Sequence, residues 1–397
     1  MYTANGLHDW GYGSSSSAYE KSCHFAVFML LPVFFVYQVS IAAGLIPAFA
    51  GGYFSAACFV ILPVTALSYL VCQLKSGIIQ GSDLLYFTFL GYFAFVVILN
   101  FLSGADQYLL EWHLISAVQM LSIYLAFNGI ALGLDRNRKK YIFTTITLCT
   151  LVIALSSNGV FNPREMSENQ ESLVSYQGFA LSLFLMSCLS IGATRTTIAR
   201  LGLYLLFASA LYLNGARSEF AGFLIFSTLF EFFRSHNRSL GLLSICAFST
   251  IIILTIAFEL VEIPSNRVTN LLNLESDNSS NIRDEISREG LLKIMDNPFI
   301  GSYGSYEKGY YIHNILSSWQ DLGIIGFLLF LATIFTPIAI LTIKVMRRRN
   351  NNRADCMILA MLSSCLILLI FGKYFTYLVA PACLGLYSAI RRNRAIT

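Results

Sequence analysis

A group of polar residues stands at the entrance to a long apolar segment in the last quarter of the chain. His313 comes first, and Asn314, Ser317 and Asp321 then recur at helical spacing and share one face. A neutral imidazole can take up a proton near pH 7, so His313 is a candidate general base. A polar stripe turned towards lipid would be costly, so this one faces protein or a water-filled cavity. The structural alternatives are hydrogen bonding between helices for the stripe and an interfacial position for His313.

Arg217 is a second candidate, because it stands in a turn between two short apolar segments, residues 201–214 and 219–233. At the rise of an α-helix each segment is roughly 21–23 Å long, against roughly 30 Å for the hydrocarbon core. The turn is therefore expected below the headgroups, at the depth of the lipid phosphates. A guanidinium there needs an anion and can hold phosphate oxygens in a bidentate manner. A salt bridge to Glu219 is the alternative.

Arg283 is a third candidate and lies in the longest hydrophilic segment, in a stretch with a helical pattern from Ile282 to about Asp296. It falls on the apolar side of that helix, whereas Arg288 is about 140° away. This placement directs Arg283 at the membrane surface or at a partner anion. The alternative is an arginine whose stem covers apolar area. The apolar side consists of Ile286, Gly290 and Ile294.

The elements that must position these side chains are membrane helices. Of the 397 residues 56% are hydrophobic and 12% charged, with a mean hydropathy of +0.65, whereas soluble proteins have about 25% charged residues. Long apolar runs predict an all-α integral membrane protein with about twelve transmembrane helices. The predicted spans are residues 23–45, 54–74, 84–103, 112–133, 141–157, 175–193, 201–214, 219–233, 239–261, 315–341, 355–371 and 374–390.

The orientation follows from the positive-inside rule, since most of the 26 Lys and Arg residues fall in turns on one side. We predict a cytoplasmic tail at 1–22, nine helices within 23–261, a long periplasmic loop with short helices at 262–314, three helices within 315–390 and a cytoplasmic tail at 391–397. The same rule explains the net charge of +4, and no basic stripe indicates a nucleic-acid partner. The nine cysteines lie in apolar segments, which predicts buried thiols rather than disulfides or metal ligands.

In order and type, these motifs resemble the bacterial O-antigen polymerase and O-antigen ligase superfamily. The resemblance covers residues 214 to 326, and the remaining spans match only in hydropathy. One departure is Tyr303, at a bend where the family often packs glycines more closely. The motifs are the Gly-Ala-Arg-Ser turn at 215–218, Arg283 in the long outer loop, the Asn-Pro-Phe-Ile-Gly bend at 297–301, and His313-Asn314 leading to the glycines at 323 and 326.

The resemblance implies a glycosyltransferase that takes its glycan from a polyprenyl diphosphate at the periplasmic face of the bacterial inner membrane, in the loop 262–314. Such enzymes need no metal, nucleotide sugar or other cofactor. Arg217 and Arg283 would then hold the diphosphate, and His313 would act on the acceptor hydroxyl as base or positioner. Further candidates for substrate binding are Arg267 and Arg288 towards the diphosphate, and Asn314, Ser317 and Asp321 towards sugar hydroxyls or the imidazole.

Three functions remain open. A polymerase would join lipid-linked repeat units, whereas a ligase would move the finished glycan onto lipid A-core. The second outer segment, residues 158–174, favours the polymerase because it could hold a second lipid-linked substrate. A flippase or transporter should have ionisable or helix-breaking sites near the bilayer midplane in matching halves, and none is evident. The expected partners are the lipid-linked glycan, the bilayer and, by resemblance, a chain-length regulator.

Overall fold

The computed structural model describes residues 18–47, 52–76, 80–131, 133–157, 159–163, 176–235, 278–307, 310–347 and 352–396. Within these ranges the protein is helical and has no β-strand, apart from one isolated bridge between Ser157 and Val160. The predicted span 239–261 and Arg267 lie outside the described residues. The all-α class predicted from hydropathy is therefore confirmed for the described part of the chain.

Each predicted span other than 239–261 corresponds to a helix or to a continuous helical run. The first run contains a π-helical turn at Met29–Val33, around Pro32, which joins its two α-helices. The helices are α1 (Ala18–Phe28), α2 (Phe34–Ala42), α3 (Tyr53–Ser76), α4 (Gly81–Leu102), α5 (Gln107–Ile130), α6 (Arg138–Leu155), α7 (Tyr176–Ala193), α8 (Thr197–Asn214), α9 (Arg217–Arg234), α10 (Asn278–Asp296), α11 (Ser317–Arg347), α12 (Arg353–Phe371) and α13 (Val379–Ile396).

Among the described residues, seven helical runs are long and apolar enough to cross a membrane. They are Ala18–Ala42, Tyr53–Leu74, Gly81–Leu102, Gln107–Ile130, Thr197–Asn214, Ser317–Arg347 and Arg353–Phe371. The shorter α6, α9 and α13 carry several charged residues, and α7 contributes only a short apolar stretch, Gln177–Ala193. These seven runs define a multi-pass membrane protein, while about twelve spans stays a prediction.

Close helix contacts are made where one partner has a glycine. A side chain at Gly385 of α13 would overlap the main chain of α5 at Tyr124, and one at Gly222 of α9 would lie 2.7 Å from Leu368 of α12. The eight described cysteines are free thiols, and seven of them are buried. The prediction of buried, packing cysteines is confirmed for these seven, while Cys72 is partly exposed.

Ion pairs join the helix ends that the sequence places inside. Asp135, after α5, pairs with Arg353 at the start of α12 at 2.5 Å and with Arg195 after α7 at 3.7 Å. Lys344 near the end of α11 pairs with Asp355 at 2.8 Å. These contacts bring the basic ends of α5, α7, α11 and α12 together, so their opposite ends also lie at one end of the bundle.

A break in α11 holds the bend that follows α10. Gly323 has φ 66° and ψ −176°, a conformation that favours glycine, and the helix changes direction there. Ser302 N–H donates to the Gln320 carbonyl at 2.6 Å, and Ile324 N–H donates to the Pro298 carbonyl at 3.1 Å. A side chain at Gly301 would lie 2.7 Å from the Gly323 nitrogen, so the two main chains are in contact. Hydrogen bonds and close contacts between the two main chains thus fix the position of the bend.

The helix α10 begins at Asn278 rather than at Ile282 and ends at Asp296, as its Asn-Pro stop signal predicts. Its apolar side is buried, with Ile286 and Ile294 only 7% and 4% exposed. Gly290 on the same side lies against Ile312, close enough that a methyl group would overlap it. This packing holds the second half of α10 against the segment that leads into α11.

Candidate functional site

A cavity of about 460 Å³ opens among the helix ends opposite the ion-paired basic turns. Its residues come from the starts of α2, α3, α5, α7 and α9, from α10, from the segment before α11 and from the connection between α12 and α13. We call it the cationic cavity, after Arg283, Lys373 and the imidazole of His313 in its wall. Among its other lining residues are Trp112, Ser218, Glu219, Tyr311, Tyr374 and Tyr377.

The cavity brings together two of the predicted catalytic residues, Arg283 and His313. Burial, and then the positive charges of Arg283 and Lys373, lower the pKa of His313 from 6.5 to about 4. The imidazole is therefore neutral at pH 7 and has a lone pair available. Within the described part of the chain no carboxylate lies within 4.0 Å of the Arg283 guanidinium, so this charge faces the cavity uncompensated.

Lys373 is a cavity residue that the sequence analysis did not single out. Its ammonium donates to Glu219 at 2.6 Å and lies 4.9 Å from the centre of the Tyr377 ring, and the Tyr377 hydroxyl donates to the same carboxylate at 3.3 Å. The amino-acid sequence does contain a feature that points to it, since Lys373 is the one charged residue between Asp355 and Arg391. An isolated charge between two apolar spans indicates a function by default.

Arg217 begins α9, two residues after Gly215, whose φ of 74° ends α8 in the left-handed region. It is half-buried and engages other groups of the protein. The next two residues, Ser218 and Glu219, line the cationic cavity, whereas Arg217 is not among the described residues that line it. Its contact with a diphosphate stays a prediction.

The polar stripe of α11 is turned into the protein. Asp321 is fully buried and accepts hydrogen bonds from the hydroxyls of Tyr306, at 3.0 Å, and Tyr374. Ser317 is fully buried as well, and its hydroxyl donates to the Asn314 carbonyl at 2.7 Å and accepts from the Phe375 N–H at 3.1 Å. None of the stripe residues lines the cationic cavity in the described part of the chain.

The Asn314 side chain also has a protein partner, since its carbonyl oxygen accepts from the Leu316 N–H at 2.9 Å. The bonds of Ser317 and Asp321 hold Phe375 and Tyr374, and Tyr374 forms part of the cavity wall. The geometry therefore gives these three residues an orienting role behind the site. Their direct binding of substrate stays a prediction.

His113 of α5 was also missed. It is fully buried, with Nδ1 hydrogen-bonded to the Tyr303 hydroxyl at 2.8 Å and Nε2 to the Tyr374 hydroxyl at 2.9 Å. Tyr303 thus ties the bend to α5. The sequence signal was a single histidine inside an apolar span, where an ionisable side chain is costly and needs a partner.

The remaining candidates lie away from the cavity or outside the described residues. Arg288 is exposed on α10, on a different side from Arg283, and is not among the described residues that line the cavity. Arg267 belongs to the range 236–277, which is outside the described residues. Of the five arginine and histidine candidates, the structure brings Arg283 and His313 together and leaves Arg217 adjacent in sequence to the cavity wall.

Comparison with known proteins gives no match: no family model, curated protein or solved structure is similar to this chain. The class that the fold defines is a multi-pass helical membrane protein. Its site is a cavity with an uncompensated guanidinium, a neutral imidazole and aromatic walls at one end of the bundle.

Proposed function

We propose that this chain is a glycosyltransferase of the O-antigen polymerase type, which joins polyprenyl-diphosphate-linked repeat units at the periplasmic face of the bacterial inner membrane. The observation that carries the proposal is that Arg283, Lys373 and His313 share one cavity. That cavity lies at the helix ends which the positive-inside rule assigns to the outside. A headgroup on a lipid in the outer leaflet could therefore reach it.

The chemistry requires stabilisation of a leaving diphosphate. When the bond between the anomeric carbon and the phosphate oxygen breaks, its electron pair leaves with the diphosphate, whose negative charge grows in the transition state. Fixed cations aimed at that oxygen stabilise it, and loss of one such donor commonly costs about 3–4 kcal/mol. Arg283 is suited to this role because no described carboxylate neutralises it, and Arg217 would approach from the adjoining turn.

His313 would act on the other substrate. The acceptor hydroxyl oxygen attacks the anomeric carbon, and its proton passes to the neutral imidazole. In the empty site Arg283 and Lys373 oppose protonation of this ring. A bound diphosphate would offset their charges and raise the proton affinity of His313 when the substrate is in place, which suits a general base.

A ligase would use the same cations, so the site geometry favours neither enzyme over the other. The outer segment 158–174, which supports the polymerase, lies mostly outside the described residues. A deletion strain separates the two functions by its lipopolysaccharide ladder. Core carrying a single repeat indicates loss of a polymerase, whereas core without any O-antigen, with long lipid-linked chains accumulating, indicates loss of a ligase.

The enzyme assay uses purified protein in lipid nanodiscs and radiolabelled lipid-linked repeat units. We expect Arg283→Ala and His313→Ala each to lower turnover by about 100-fold or more. Arg288→Ala is the matched control, because it removes the same charge from the same helix on a side away from the cavity, and it should retain activity. Wild-type turnover in folded Arg283→Ala and His313→Ala proteins would overturn the assignment.

A further inference from the structure

A second cavity lies on the other side of two cationic-cavity residues. It has a volume of about 320 Å³ and is lined by Asp106, Tyr108, Trp112, Gly304, Tyr306 and Tyr311, among others. We call it the aromatic cavity. In the described part of the chain no lysine or arginine lines it, so its electrostatic character is opposite to that of the cationic cavity.

Trp112 and Tyr311 line both cavities and form the wall between them. Their ring centres are 5.4 Å apart, and the Trp112 ring is stacked on Tyr374 at 5.2 Å. The ring of His313 lies 4.5 Å from that of Tyr311. A group held in the aromatic cavity is therefore one aromatic ring away from the imidazole.

We propose that the aromatic cavity binds the sugar end of the acceptor glycan, while the cationic cavity binds the diphosphate end of the donor; the inference rests on the proposed glycosyltransferase function. A sugar ring has C–H groups on its faces and hydroxyls around its rim. The faces suit aromatic walls, and the hydroxyls suit a few fixed polar groups. The acceptor would extend past the edge of the shared wall, so that its reacting hydroxyl lies in the cationic cavity beside His313 and the anomeric carbon lies beside Arg283.

Asp106 supplies the fixed acceptor in this cavity. One of its carboxylate oxygens accepts from the Tyr108 N–H at 2.7 Å and caps the start of α5, which locks the side chain in place. The carboxylate has a second oxygen, and no described lysine or arginine pairs with it. A hydroxyl donor on a sugar could bond to that oxygen, whereas a phosphate would be repelled by it.

Tyr306 and Gly304 fix the inner end of the cavity. The Tyr306 hydroxyl is held by Asp321 at 3.0 Å, so its ring keeps one orientation. Gly304 has φ 65°, and a side chain there would lie 2.5 Å from Leu109, so glycine preserves the space. These contacts form a cavity of fixed shape, which is what recognition of a particular sugar requires.

The test measures binding without catalysis. The probe is the water-soluble oligosaccharide released by mild acid from the lipid-linked repeat unit, and binding to the protein in nanodiscs is followed by saturation-transfer NMR. We expect Asp106→Asn, which keeps the helix cap, and Tyr108→Ala to weaken binding about tenfold. Gln107→Ala is the control, since this exposed residue of the same turn bonds only to the exposed Glu111, at 2.8 Å, among the described residues.

The outcomes separate this inference from the proposed function. Weaker binding in Asp106→Asn and Tyr108→Ala, with normal binding in Gln107→Ala and Arg283→Ala, supports a glycan site distinct from the cationic cavity, even if no turnover is found. No binding to wild-type protein, or equal binding in all four variants, overturns the inference. In that case turnover that depends on Arg283 would leave the proposed function intact.

Discussion

The imidazole of His313 has a low proton affinity first because it is largely buried and second because Arg283 and Lys373 lie nearby. The same positive charges would stabilise a bound diphosphate. A single residue thus reports on both the charge of the cavity and its occupancy. This makes its titration the most direct test of the site at the scale of one side chain.

We expect NMR of histidine-labelled protein to give His313 a pKa of about 4 in the empty site. Arg283→Gln should raise that pKa, because it removes a positive charge that opposes protonation, whereas Arg288→Gln should leave it unchanged. Unfolded chains bind this proton near pH 6.5, so the stability due to the neutral ring is present above pH 6.5 and is lost as the pH falls towards 4. Equal shifts in both variants would mean that Arg283 does not face His313.

At the scale of elements, the break in α11 decides where the bend after α10 lies. A methyl group at Gly323 would overlap the Phe299 carbonyl oxygen, and its φ of 66° is already unfavourable for alanine. The bend would have to move away from α11, together with Tyr303 and Tyr306, which hold His113 and Asp321. A substitution at Gly323 should therefore disturb the hydrogen bonds of His113 and Asp321 behind the cationic cavity.

We expect Gly323→Ala to lower the free energy of unfolding by roughly 2 kcal/mol or more and to abolish turnover. Gly202→Ala in α8 is the control, because the added methyl group would meet nothing within 4 Å beyond the local backbone of its own helix. Its effect should stay within about 1 kcal/mol. The measurement is unfolding in mixed micelles, followed by circular dichroism. Equal stability and activity of the two variants would show that the bend does not depend on this contact.

At the scale of the whole molecule, the ion-paired helix ends and the cationic cavity lie at opposite ends of the bundle. Basic turns stay in the cytoplasm, so the cavity should face the opposite compartment. A periplasmic substrate can enter the cavity only if the protein has this orientation in the membrane. It can be tested on intact cells.

We expect Glu307→Cys, at an exposed position of the bend, to react with a membrane-impermeant maleimide added from outside. Lys139→Cys, exposed at the start of α6, should react only after the membrane is permeabilised. A variant without the native cysteines provides the background for both. The reverse pattern would place the cavity in the cytoplasm and remove the basis for a periplasmic enzyme.

The sequence by itself determined the helices, because hydropathy is a local property and each span must satisfy its own backbone in lipid. It also determined the sidedness prediction and pointed to Arg283 and His313. Helical spacing and the family resemblance singled out those two residues, and their roles in catalysis stay predictions.

Only the tertiary structure decided which polar side chains have hydrogen-bond or ion-pair partners inside the protein. His113 bonds to Tyr303 across 190 positions, and Lys373 pairs with Glu219 across 154. Spacing along one helix could not reveal such partners, so the bonds of Ser317 to Phe375 and of Asp321 to Tyr374 became visible only in the fold. Whether a side chain is buried depends on which residues pack against it, and the fold determines those residues.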